Sequence, residues 1–223
     1  MAAHLDLEEQ EQLEQLKAFW KRWGNLITWL ITAALAAFAA WQGWNWYQRD
    51  QAAKAAAMYE EFDRALAAQD LGKATAAAGD LKARFASTGY ATQASLQVAK
   101  LQLDKDKADD ARQSLVWVAE HGAEGGPYRD LARLRLAALQ LDAKAYDEAG
   151  KTLDAIKSPE FTGLVADRRG DLLLLQGKRD EAKAEYQKAL AAIDKALDYR
   201  RVVEAKLATL GVPTVVDATG VAQ

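Results

Sequence analysis

Apolar and polar positions fall into three regimes along the chain. Residues 1–22 are polar, with acids at Asp6, Glu8, Glu9, Glu11 and Glu14 and bases at Lys17, Lys21 and Arg22. Leu5, Leu13, Leu16 and Trp20 recur near helical spacing there, which predicts a short amphipathic helix. From Trp23 to Gln48 the run WGNLITWLITAALAAFAAWQGWNWYQ holds no charged residue. Spanning a bilayer core takes roughly 20 apolar helical residues, so this run predicts a transmembrane helix. Six of the seven tryptophans lie in it or just before it. Trp20, Trp23 and Trp29 stand towards one end and Trp41, Trp44 and Trp46 at the other, the distribution of an aromatic belt at each membrane interface. Trp20, Trp23, Trp41, Trp44 and Trp46 are accordingly the expected interface anchors. A buried core helix gives no reason to gather indoles at its two ends.

Ala37-Phe38-Ala39 has the small-x-small form of a signal-peptide cleavage site. Three features oppose cleavage. The leading segment is long and acid-rich, the uncharged run continues past Ala39, and the second tryptophan group would be stranded on the mature protein. The expectation is an uncleaved anchor. Lys17, Lys21 and Arg22 against Arg49 and Lys54 bias the N-terminus only thinly towards the cytoplasm.

Beyond Gln48 the period is helical throughout. Ala55, Tyr59, Phe62 and Leu66 recur at helical spacing, and the expected helix ends at Leu71-Gly72, with a second from about Lys73 to Phe85. Three segments then carry a small residue followed twelve positions later by alanine: Ala99 and Ala111, Ala137 and Ala149, Gly170 and Ala182. After each alanine, apolar or small residues return four and seven positions on: Leu115 and Val118, Leu153 and Ile156, Tyr186 and Ala189. Small residues where two helices cross allow close approach. The spacing, 38 residues and then 33, is that of a tetratricopeptide-like helical hairpin repeat. The tyrosine of that repeat's first helix is replaced by Gln102, Gln140 and Leu173. Residues 50–86 read as a degenerate opening repeat, and a helix from about Lys195 to Leu210 reads as the cap that a solenoid requires. The predicted organisation is a polar leader over 1–22, a span over 23–48, a repeat domain over 49–210 and a loose tail over 211–223.

Composition narrows the chemistry. The formal charge of -3 comes from mixed acids and bases with no basic excess to neutralise phosphates, which argues against nucleic acid binding. No cysteine is present, which removes disulfides, thiolate ligands and a thiol nucleophile. His4 and His121 are isolated from each other and from metal-ligand spacing. The acidic run Asp104, Asp106, Asp109 and Asp110 lacks the glycine and glutamate of a calcium loop, where Asp109 and Leu115 stand instead. Gly122, Gly125 and Gly126 follow no strand, and Ser114, His121 and Asp110 straddle a helix end. No enzyme, cofactor or metal is expected. Arg133 and Arg169 fall on first helices of consecutive repeats, with Gln140 one to two turns on. They are the candidate lining of a polar partner groove; the alternative is surface pairing with Asp130, Asp167 and Asp171. Trp117 is expected in the core.

The layout resembles the YfgM-like family of ancillary SecYEG translocon subunits. The likeness is carried by an acidic start leading to LKAFW, one span, GYATQASLQVAKLQLDKDKADDA, and LDAIKSPEFTGLVADRRGDLLLLQGKRDEA. The resemblance implies a bacterial inner-membrane protein with a cytoplasmic N-terminus and a periplasmic repeat domain. It also implies association with the SecYEG channel and with a membrane-anchored periplasmic chaperone of the prolyl-isomerase class, in aid of secreted proteins. It supplies no catalytic residues. The extended C-terminal tail departs from the family. Two other functions are expected alternatives: a scaffold for an unrelated envelope assembly, and a membrane-tethered hydrolase, for which no convergent nucleophile and base are present.

Overall fold

The computed structural model describes residues 7–123, 126–194 and 196–212. The start of the leader and the tail beyond Val212 lie outside the described residues. Among those described, every regular element is a helix. The chain divides into two units, Met1–Ala53 and Lys54–Gln223.

The first unit is a single element, the greater part of helix α1 (Leu7–Ala67). It contains one stretch apolar and long enough to cross a membrane, and only 6% of its most apolar window is buried. That exposure sets it apart from the core helix of a folded domain. Trp20, Trp23, Trp29, Trp41, Trp44 and Trp46 are each between 45% and 70% exposed. Thr28 and Thr32 donate their hydroxyls to the carbonyls of Gly24 and Thr28, so these two polar groups are satisfied within the helix itself.

The second unit is built from helical pairs. The last turns of α1 pair with α2 (Leu71–Phe85), then α3 (Gly89–Asp104) with α4 (Ala108–His121), α5 (Pro127–Asp142) with α6 (Tyr146–Asp154), and α7 (Thr162–Leu175) with α8 (Arg179–Ala192). A 3-10 turn, Pro159–Phe161, precedes α7, and α9 (Tyr199–Thr209) closes the array. All four pairs turn in the same way. Gln69, Asp106, Lys144 and Gly177 each take a left-handed φ, between +56° and +78°. The next residue's amide reaches back to a first-helix carbonyl: Asp70 to Ala65, Lys107 to Gln102, Ala145 to Gln140 and Lys178 to Leu173. This is the Schellman closure, which satisfies the carbonyls a helix end leaves open. In the opening pair Asp70 then caps α2 by accepting from the Lys73 amide, so α1 ends at Ala67 rather than at the Leu71-Gly72 step expected from the sequence.

The common turn fixes the register. Ala99, Ala137 and Gly170 stand seven positions before their turn residue, and Phe62 stands in that place in the opening pair. Twelve positions on, Ala74, Ala111, Ala149 and Ala182 are all fully buried. The small residues set how closely each pair packs. Gly163, Ala166 and Gly170 form one face of α7, and a Cβ at Gly170 would lie 2.4 Å from the Tyr186 ring. The expected core positions Leu115, Val118, Leu153, Ile156, Tyr186 and Ala189 are all buried. Against Ala182, Tyr186 and Ala189 the closing helix lays Val203 and Leu207. It begins at Tyr199; before it Asp194 accepts from the Ala196 amide, and the expected start at Lys195 lies outside the described residues. Leu197 precedes this helix and is exposed.

Candidate protein-binding face

The first helices stack directly on one another: α3 contacts α5, and α5 contacts α7. Their seams are closed by side chains reaching between neighbouring first helices. Gln97 in α3 donates its amide to the Tyr59 hydroxyl in α1 at 2.7 Å. Gln93 donates to the Tyr128 hydroxyl in α5 at 2.8 Å. Tyr59 also meets Tyr90 with ring centroids 5.3 Å apart and Phe62 at 5.4 Å. Burial, partly offset by the Gln97 bond, pushes the Tyr59 hydroxyl pKa upward. Two positions before the small residue of each complete repeat stand Gln97, Arg135 and Arg168, the place from which Gln97 and Arg135 cross to the preceding helix. Arg135 is exposed and reaches the Leu96 carbonyl at 3.5 Å. Tyr59, Tyr90, Gln93, Gln97, Lys100, Tyr128 and Arg135 thus share one face made by first helices.

The groove residues expected from the sequence lie elsewhere in the register. Arg133 donates to Asp130 at 2.9 Å and to the carbonyl of Ala155 at the end of α6. Arg169 donates to Asp154, also on α6, at 2.6 Å. Both arginines therefore reach towards a second helix. Gln140 is half-buried, and its side-chain oxygen is shut away without a partner. The matching Gln102 accepts from Ser114 at 2.9 Å, a bond between the two helices of a repeat; Thr152 holds the place of Ser114 beside Gln140.

The expected surface pairing of the aspartates also takes another form, because Asp130 and Asp167 are buried. Asp130 accepts from the Ser158 hydroxyl at 2.6 Å and the Ser158 amide at 3.2 Å, and so pins the loop leading to α7. Burial works against the Asp130 charge, but the Ser158 bonds and Arg133 outweigh it and hold the carboxyl below its usual range. A depressed carboxyl pKa contributes stability above the unfolded value, lost as pH falls through the folded one. Asp130→Ala is expected to cost about 2 kcal/mol at pH 7, the scale of hydrogen bonds to a charged group. The gap between wild type and variant should begin to narrow below about pH 4, so thermal melts should show a smaller difference at pH 3 than at pH 7.

A second buried network joins α7, α8 and α9. Asp167 accepts from Tyr199 at 2.7 Å and Lys206 at 2.9 Å, and Asp171 accepts from Tyr186 at 2.8 Å, Arg168 at 3.0 Å and Lys206 at 2.9 Å. Burial and the adjoining carboxylates push both tyrosine hydroxyls well above their ordinary range. Arginines also close the second helices. Arg129 donates to the carbonyl of Ala119, Arg133 to Ala155 and Arg200 to Leu190, each at a helix C-terminus. Trp117 packs against the clusters of two successive pairs, with Lys82 over its ring at 5.8 Å and the His121 imidazole stacked on it at 4.9 Å. Both networks are structural in form: the buried carboxylates of Asp130 and Asp167 are answered by neighbours within the fold, while Arg168 Nε is buried without a partner.

Comparison with known proteins places the whole layout. Residues 17–212 match the family described as tetratricopeptide repeat-like domain. A protein of Neisseria gonorrhoeae named ancillary SecYEG translocon subunit is 29% identical over 94% of this chain and 100% of its own length. The Escherichia coli protein of the same name is 31% identical over 80% of this chain and 85% of its own, and that of Haemophilus influenzae 26% over 82% and 89%. A match running from the apolar helix through the last repeat, to relatives of the same extent, is a match of architecture as well as of residues. The chain belongs to the tetratricopeptide-repeat-like family of ancillary SecYEG translocon subunits.

Proposed function

We propose that the chain is a non-enzymatic ancillary subunit of the SecYEG translocon. In this reading residues 23–48 cross the bacterial inner membrane, residues 1–22 are cytoplasmic, and the repeat domain over 49–210 is periplasmic. The repeats bring a membrane-anchored periplasmic chaperone of the prolyl-isomerase class to the channel exit, aiding release or folding of secreted proteins. The observation that carries the reading is the end-to-end match to translocon subunits, joined to an unburied apolar helix followed by a repeat domain. Physically, an anchor confines encounters to membrane neighbours and raises effective concentration, while the repeat face supplies selectivity. The role needs binding surfaces, and a row of stacked first helices supplies one.

Topology gives the test. Protease added to intact spheroplasts is expected to digest the domain after Asp50 and leave a short membrane-protected N-terminal fragment. A repeat domain that survives external protease, and is digested only after lysis, would overturn both the orientation and the function.

A further inference from the structure

A cleft of about 550 Å³ opens where the start of α5 meets the end of α6 and the loop leading to α7, and it shares no residue with the face of stacked first helices. Arg129, Arg133, Lys157 and Glu160 line it, as does the buried Asp130. Its two guanidinium groups are held in place before any ligand arrives, which lowers the ordering cost of binding. Arg129 donates through Nε to the Ala119 carbonyl at 2.8 Å and through Nη2 to that of Glu120 at 3.3 Å. Arg133 donates only through Nη1, to Asp130 and to the Ala155 carbonyl, each at 2.9 Å. Ser158 donates both its hydroxyl and its amide to Asp130, which steadies the loop that carries Lys157.

A guanidinium presents five N–H groups in a planar fork. Arg133 therefore keeps its Nε and Nη2 hydrogens, an edge that takes a carboxylate in two parallel bonds, and Arg129 keeps Nη1. These nitrogens are not shut away, because the arginine nitrogen buried without a partner among the described residues is Arg168 Nε. Uncommitted donors that solvent can reach are open to a ligand as well.

Charge narrows the ligand. Asp130 answers Arg133, whereas Arg129 meets only neutral carbonyls. Lys157 and Glu160 are exposed, and neither has an ion pair among the described residues. The cations beyond them are already answered, Arg169 by Asp154 and Lys188 by Glu185. Three bases against two acids leave the cleft one net positive charge, which matches a single carboxylate better than a doubly charged phosphate. Glu160 in turn favours a base beside that carboxylate. Because Lys157, Pro159 and Glu160 are exposed, the cleft does not enclose a small molecule, whose sites bury most of the ligand. It suits a group carried on the surface of another protein.

We propose that this cleft seats one aspartate or glutamate side chain of a partner protein. Its carboxylate takes the Nε and Nη2 edge of Arg133, Arg129 and Lys157 complete the charge around it, and a basic neighbour of that acid pairs with Glu160. The seat does not depend on the translocon reading.

The test uses the full chain in phosphatidylcholine nanodiscs and fluorescence anisotropy. The probe is a serine-glycine peptide with one Glu-Lys pair, amidated at its C-terminus and labelled with an uncharged dye, so that the glutamate side chain is its only carboxylate. It is run against a Gln-Lys form and a Lys-Lys form. The Glu-Lys peptide should bind, and the Gln-Lys form should bind about tenfold more weakly, the scale of hydrogen bonds to a charged group. Lys157→Glu should weaken the Glu-Lys peptide and strengthen the Lys-Lys peptide, a reversal that a misfolded variant cannot produce. Arg133→Lys keeps the charge beside Asp130 but removes the fork, so it should weaken the Glu-Lys peptide about as much as loss of the carboxylate does. Equal binding of the Glu-Lys and Gln-Lys peptides, affinity unchanged by both Lys157→Glu and Arg133→Lys, or no binding above empty nanodiscs would overturn the proposal.

Discussion

Gly170→Val is expected to lower the stability of the repeat domain by about 3 kcal/mol, the upper end of the usual cost of overpacking a core. The cause is local and severe. A Cβ at this position would lie 2.4 Å from one atom of the Tyr186 ring and 2.5 Å from the next. Tyr186 has no room to yield, since its side chain is fully buried and its hydroxyl donates to Asp171. Relief requires α7 and α8 to separate, which uncovers Ala166, Ala182 and Ala189 as well. For a domain of this size that cost corresponds to a fall in melting temperature of roughly 10 °C. Far-ultraviolet circular dichroism melts of the full chain in detergent would read it. Gly170→Val with Tyr186→Leu should recover part of the loss, whereas a melt unchanged by Gly170→Val would contradict the packing described.

Asp167→Ala is expected to cost about 3 kcal/mol, the low end for removing one member of a buried ion pair. The side chain is completely buried and accepts from both Tyr199 and Lys206, the residues through which α9 holds α7. The cost stays at the low end because Lys206 keeps Asp171 and is 25% exposed. Loss of Asp167 leaves the Tyr199 hydroxyl unanswered beneath α9, so the closing helix should loosen first. Limited proteolysis should then cut between α8 and α9 in the variant and not in wild type. Adding Lys206→Met to Asp167→Ala should lower stability further, because it also takes the ammonium away from Asp171.

The helical class, the hairpin pairs and their buried faces were legible because each repeat writes them locally, in a small residue, an alanine twelve positions on and apolar residues beyond. The opening pair escaped that pattern. Phe62 occupies the place of the small residue, and only the left-handed turn at Gln69 shows that the register is shared. The binding face was harder to read for a different reason. Its bonds join Gln97 to Tyr59 and Gln93 to Tyr128, residues 38 and 35 positions apart, and no local spacing encodes such a pairing. Arg133 and Arg169 share first helices with that face, but they stand four and one positions before their small residues, and there the helix turns them to α6. The legible signal would have been the column two positions before each small residue, Gln97, Arg135 and Arg168. The aspartates misled in a similar way. Asp130 and Asp167 read as surface charges because acids are seldom buried, and only the three-dimensional fold brings Ser158, Tyr199 and Lys206 to answer them.

A translocon subunit anchored by residues 23–48 is expected to meet the channel through that apolar helix. A photo-crosslinking amino acid placed in living cells at Leu30 and at Phe38, both more than 60% exposed on α1, tests it most directly. Adducts with subunits of the SecYEG channel from at least one of these positions are the predicted result. Adducts confined to lipid or to proteins of another envelope assembly, at both positions and at their neighbours from Leu26 to Trp46, would contradict it.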